Sequence, residues 1–134
     1  MLDSNVLISA LLNPGLCRTI LLQWRGGRFN VAISSALLEE LRGVLTRAKF
    51  SNRIRQDDIK ELLAFVEANA LRIEPLKLRH RICRDKTDDH LFACAFGAGS
   101  LGIVSGDKDV LSVGPIGGLR IFSPRDFLTW LSSR

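Results

Sequence analysis

The sequence predicts an α/β domain in which a mainly parallel sheet is covered on both faces by helices. Short apolar runs bounded by turn residues alternate with longer segments of helical period along the whole chain, and that alternation is the signature of parallel strands joined by helical crossovers. At 134 residues the chain can bury one core but not two ordinary ones. Hydrophobic residues at 46% and charged residues at 25% are the proportions of a folded chain rather than a disordered one. Residues 1–134 are therefore expected to form a single domain, without internal repeat, low-complexity segment or linker.

Taken in order, the first strand is a difficulty. Only Met1 and Leu2 precede Asp3, whereas a central strand usually has about five residues, so this strand is expected to be truncated or misassigned. A helix is predicted from about Leu16 to Trp24, then a strand in "FNVAI" (29–33) and a long helix from Ser35 to Lys49. Gln56 to Asn69 forms the next helix and "ALRIEPL" (70–76) the next strand. The stretch "CRDKTDDHLFACA" (83–95) opens a helix from Asp88 to Ala98 that leads into the strand "GIVSG" (102–106). "GPIGG" (114–118) is a loop, "LRIFSP" (119–124) a strand, and Pro124 to Leu131 a closing helix. Apolar periodicity sets the type of each element, and Gly, Pro and small polar residues set its ends.

Several function classes are excluded at this level. "MLDSNVLISALL" lacks the basic leading region of a secretory signal, and no uncharged apolar run is long enough to span a bilayer, so a cytoplasmic protein with no membrane partner is expected. Cys17, Cys83 and Cys94 are odd in number and lack C-x-x-C spacing, which disfavours a disulfide framework or a zinc site and favours buried thiols. The net charge of +5 attracts polyanions such as RNA, although a solvated basic surface would look the same.

Against that positive balance, Asp85, Asp88 and Asp89 crowd into five positions. Like charges so close are unfavourable unless a cation or hydrogen-bond donors compensate. In an open parallel sheet ligands bind at the carboxyl ends of the strands. Asp3 follows the first strand, Asp107 follows "GIVSG", Asp109 stands two residues on, and the 85–89 cluster opens the helix leading into that strand. Singly, each acid has an ordinary explanation: an Asx-turn for Asp3, an N-cap for Asp88, a simple turn for "GDKD" (106–109). Together at one sheet edge they would repel one another unless a divalent cation bound them.

A further acid comes from the helix that begins at Ser35. Leu37, Leu38, Leu41, Val44, Leu45 and Ala48 define its apolar face, with Glu40 roughly 95° and Glu39 roughly 165° from the centre of that face. Glu40 borders the core and can lean toward the sheet edge; Glu39 is a solvated surface residue.

Competing motifs fail on context. "GAGSLG" (97–102) matches G-x-G-x-x-G, but it ends a helix and leads into a strand, the reverse of a dinucleotide site. His80 and His90 have no Ser or Cys partner at a triad spacing. Trp24 and Trp130 lie late in amphipathic helices and are expected in the core.

Taken together, "LDSNVLISALL", "SSALLEELRGVL", "CRDKTDDHLFACA", "IVSGDKDVL" and "IFSPRDFL" resemble the PIN-domain family, and within it the VapC-like toxins of toxin–antitoxin pairs. The resemblance runs over nearly the whole chain. It implies a three-layer α/β/α sandwich with a central, mainly parallel sheet, and a metal-dependent ribonuclease whose quartet of acids holds Mg²⁺ or Mn²⁺. By motif, Asp3 resembles the first acid and Glu40 the second. Asp89 resembles the third, because "DHLFACA" is similar to D-x-L-I-A-A-x-A, and Asp107 the fourth, with Asp109 a close competitor. Asn5 and Ser105 resemble the polar residues flanking the quartet. On the helical wheel Asp88 lies nearer the apolar side than Asp89, but residues in the first helical turn need not follow the wheel, so Asp89 is taken as the third acid, with Asp88 as the helix cap and secondary candidate.

Hard divalent cations held by carboxylates supply what phosphodiester hydrolysis needs, a nucleophile and charge neutralisation. For the RNA substrate, "RGVLTRAKFSNRIRQ" (42–56) offers Arg42, Arg47, Lys49, Arg53 and Arg55 as phosphate contacts. The resemblance to toxins also implies a cognate antitoxin and a homodimer. Two rivals stand beside this reading. One is a non-catalytic RNA-binding or partner-binding domain of the same fold. The other is a haloacid-dehalogenase-like, metal-dependent phosphatase, which wants a second Asp two residues after the first, where this chain has Asn5.

Overall fold

The computed structural model describes residues 1–47, 53–83 and 88–134. Within them the chain is an α/β fold whose elements run α1 (Ser4–Leu12), α2 (Leu16–Arg25), β1 (Ala32–Ile33), α3 (Ser35–Leu45), α4 (Gln56–Asn69), β2 (Leu71–Arg72), α5 (Asp89–Gly97), β3 (Gly102–Val104), α6 (Lys108–Leu111), β4 (Arg120–Phe122) and α7 (Pro124–Ser132).

All described strand pairing between these elements is parallel. β1 pairs with β2 through Ala32–Leu71 and Ile33–Arg72, and β3 with β4 through Gly102–Arg120, Ile103–Ile121 and Val104–Phe122. The first strand is reduced to one parallel bridge, Leu2 to Val104. It is held by Val104 N donating to Met1 O and Asp3 N donating to Val104 O, each at 3.0 Å. The Met1 amino group donates to Gly102 O at 3.2 Å, and its burial lowers that group from 8.0 to about 6. The strands are shorter than the apolar runs that announce them.

Two helices are present that periodicity does not announce. In α1, Val6, Leu7, Ile8 and Ala10 are all buried, so apolar residues cover several faces and no amphipathic stripe marks the segment. Helix α6 has four residues, too few for any period to register. The helix predicted to reach Lys49 ends at Leu45, with Thr46 as its C-cap; Ala48 and Lys49 lie outside the described residues. By contrast α4 has the predicted bounds, since its buried Ile59, Leu62, Leu63 and Val66 form one stripe behind an acidic first turn, Asp57 and Asp58.

One buried cluster draws on every helix. Trp24 packs edge-on against Phe65 at 4.7 Å, and Trp130 stacks on Phe127 at 5.9 Å, so both tryptophans serve the interior. Glycines explain the spurious nucleotide motif: a side chain at Gly97 would strike Glu74 O, and one at Gly102 would meet the Phe122 ring at 2.7 Å. These glycines permit close packing of backbone on helix and strand on strand. No single helix among the described residues is long and apolar enough to cross a membrane.

Candidate functional site

The site is built from the carboxyl end of the first strand outward. Asp3 N-caps α1, its Oδ1 accepting from Asn5 N at 3.2 Å. Its Oδ2 accepts from Ser105 Oγ at 2.7 Å. Ser105 is fully buried, follows β3, and its hydroxyl oxygen also accepts from Asp107 N at 3.0 Å. One buried hydroxyl thus ties the acid after the first strand to the acid after β3. Asp107 in turn N-caps α6, Oδ1 accepting from Asp109 N at 2.8 Å.

Two further acids reach the same place from helices. Asp3, Ser4, Leu37, Glu40, Asp88 and Leu91 line a cavity of about 280 Å³. Glu40 arrives on α3, whose start is fixed by the buried Ser34. Its Oγ accepts from Leu37 N at 3.1 Å and lies 3.0 Å from His90 Nε2 on α5. The same imidazole nitrogen is 3.3 Å from Cys94 Sγ, so His90 joins the helix of Glu40 to the helix that Asp88 caps. Both glutamates are exposed, so Glu40 does not border the core as its helical face predicts; what separates them is that Glu40 lines the cavity whereas Glu39 faces Arg42 Nε at 3.7 Å.

The two neighbouring aspartates part company here. Asp88 lines the cavity, with Cys83 Sγ 3.9 Å from its Oδ2. Asp89 directs Oδ1 at the incoming chain, accepting from Cys83 N at 2.6 Å and from Ile82 N at 3.1 Å. The structure therefore brings together Asp3, Glu40 and Asp88, links Asp107 to them through Ser105, and gives Asp89 a backbone role. Asp109 contributes its amide to Asp107 and its carbonyl to Cys83 Sγ at 3.3 Å. Asp85 lies outside the described residues.

Metal binding can be tested against this geometry. Among the described residues no three His, Cys, Asp or Glu side chains stand close enough together to hold an ion as they are. The donors nevertheless suit a hard cation, since all are carboxylates. Asp3 spends one acceptor position on each oxygen, about half of a carboxylate's capacity. Burial pushes the Cys17 and Cys94 thiols up, away from thiolate.

The cations expected to meet RNA are partly engaged elsewhere. Arg42 pairs with Glu39 and Glu67, and Arg55 faces Asp57 at 4.0 Å. Arg47 and Arg53 are exposed, and Lys49 lies outside the described residues. A different basic segment, residues 77–81, escaped the reading of the sequence because it follows a strand pattern and precedes the acidic cluster, both of which drew the assignment.

A second cavity, about 320 Å³, lies between Met1–Leu2, β1 and β3 and is lined by Phe29, Val31, Leu101, Phe122, Phe127 and Trp130 among others, without a carboxylate. It has no part in the acid site.

Among known proteins, no curated protein and no solved structure matches the chain significantly. A family model described as PIN domain matches residues 1–109, a span that holds every acid of the site. PIN domains are in general nucleases. With four-fifths of its length matched by that model, the chain belongs to the PIN-domain family.

Proposed function

We propose that this chain is a metal-dependent endoribonuclease that hydrolyses RNA phosphodiester bonds, and that it is the toxin of a toxin–antitoxin pair acting in the cytoplasm. The observation that carries the nuclease reading is the cavity shared by Asp3, Glu40 and Asp88, with Asp107 coupled to Asp3 through the buried Ser105 hydroxyl. Asp3, Glu40, Asp88 and Asp107 would hold Mg²⁺ or Mn²⁺. A bound ion supplies Lewis acidity, making water nucleophilic near neutral pH and neutralising charge on the phosphate.

The rest is done by the chain. Ser105 fixes the rotamer of Asp3, Asn5 N restrains its other oxygen, and Ser34 with His90 sets the position of Glu40 relative to Asp88. Asp89 anchors residues 82–83 rather than a ligand. A three-layer α/β/α sandwich around one sheet belongs to this reading. It is supported by the parallel pairs β1–β2 and β3–β4 and the parallel Leu2–Val104 bridge. The toxin role, a cognate antitoxin and a homodimer rest on the resemblance of the motifs to VapC-like toxins.

A non-catalytic RNA-binding domain is favoured by one observation, the lack of a ready-made metal cluster among the described residues. Incubating pure protein with mixed single-stranded RNAs in Mg²⁺, in Mn²⁺ and in chelator separates the two. Cleavage in metal that stops in chelator is expected; RNA left intact in all three, with binding retained, would establish the non-catalytic reading instead.

A further inference from the structure

We infer that the exposed loop from Lys77 to Arg81 grips the sugar–phosphate backbone of single-stranded RNA and feeds it to the acid cavity. This inference rests on the nuclease reading and goes beyond it by assigning the substrate-binding surface. Both ends of the loop are fastened to α5. At its start Leu76 N donates to Ala93 O at 2.8 Å, and the preceding Glu74 carbonyl lies against Gly97, where only a hydrogen fits. At its end Ile82 N and Cys83 N both donate to Asp89 Oδ1, while the buried Cys83 thiol donates to Asp109 O.

The anchoring points Ala93 and Asp89 are one helical turn apart, about 6 Å. The six residue-to-residue steps from Leu76 to Ile82 could span roughly 20 Å if extended. The excess length bows outward, and it carries Lys77, Arg79, His80 and Arg81, all exposed. Among the described residues none of the four has an acidic partner within ion-pair distance, whereas Arg25, Arg42 and Arg55 each have one. Among the described residues three cations are thus held without an acidic partner, on a loop that ends against Asp89, the residue next to Asp88. A chain of phosphates is the partner that suits them. Such contacts bind any sequence and place the backbone against the carboxylates, which by themselves would repel it.

The test uses the full chain carrying Asp3→Asn, so that RNA is not consumed, and a labelled single-stranded RNA of mixed sequence followed by fluorescence anisotropy. Replacing Lys77, Arg79 and Arg81 together by Ala should weaken binding about tenfold or more at moderate salt. The slope of log affinity against log salt should flatten by about 2, since each lost phosphate contact removes about 0.7. The exposed side chains leave the core untouched, so the thermal midpoint should not move. Replacing Arg47, Arg53 and Arg55 by Ala should have a smaller effect on both quantities. Unchanged affinity and slope in the loop variant, or equal losses in the two variants, would overturn the assignment to this loop, and a wild type that still cleaves RNA would leave the nuclease reading standing. If the wild type neither binds nor cleaves any RNA, the nuclease reading itself fails and this inference with it.

Discussion

Asp88→Asn should abolish RNA cleavage, by about 100-fold or more, while Asp89→Asn leaves it within a few-fold of wild type. Asp88 shares the cavity with Asp3 and Glu40, and removing a ligand from a hard-cation site costs at least what removing its supporting partners does, typically 10–100-fold. Asp89 instead receives two backbone N–H groups from Ile82 and Cys83. Hydrogen bonds to a charged acceptor are worth about 1.5–3 kcal/mol each, and Asn keeps an oxygen but loses the charge. Asp89→Asn should therefore lower the thermal midpoint by several degrees. Asp88→Asn in the absence of metal should leave it unchanged or raise it, because one of several crowded negative charges has gone. The checks are a cleavage assay in Mn²⁺ and a melting curve in chelator. Loss of cleavage in Asp89→Asn with an unmoved midpoint would reverse the roles of the two residues.

The second large effect separates residues that adjoin on one helix. Glu40→Gln should remove most metal-dependent cleavage, and Glu39→Gln should remove almost none. Gln preserves the size and helix propensity of Glu, so α3 persists in both. Glu40 loses a cavity carboxylate, whereas Glu39 loses an exposed contact to Arg42 at 3.7 Å, an interaction of the kind that contributes little. Equal cleavage by the two variants at saturating Mn²⁺ would remove Glu40 from the site.

These pairs also mark how far the sequence can be read. The placement of Asp3 and Asp107 after strands is legible because a strand followed by an acid is a local pattern. The different surroundings of Glu39 and Glu40 are legible in the helical period. The different surroundings of Asp88 and Asp89 are not, since they depend on two amides, Ile82 N and Cys83 N, brought against the helix by a loop whose course no periodicity encodes. The wheel already set Asp88 nearer the apolar side, and the motif similarity drew the assignment the other way. Helix α1 was missed because burial on several faces erases the stripe that announces a helix. The predicted strands are longer than the observed ones because an apolar run signals burial, which continues past the strand bounds: Val31 is buried but precedes β1, and Ser105 is buried but follows β3.

The proposed function requires that Asp3, Glu40, Asp88 and Asp107 bind a divalent cation in the folded protein. The most direct test is the thermal midpoint of wild type and Asp3→Asn across a Mn²⁺ titration. A ligand that binds only the native state at about 100 times its Kd adds about 2.7 kcal/mol, on the order of 10 °C for a domain of this size. A saturable rise of that order is expected in the wild type and a much smaller one in Asp3→Asn. A wild-type midpoint that does not respond to Mn²⁺, or one that rises equally in both proteins, would contradict it.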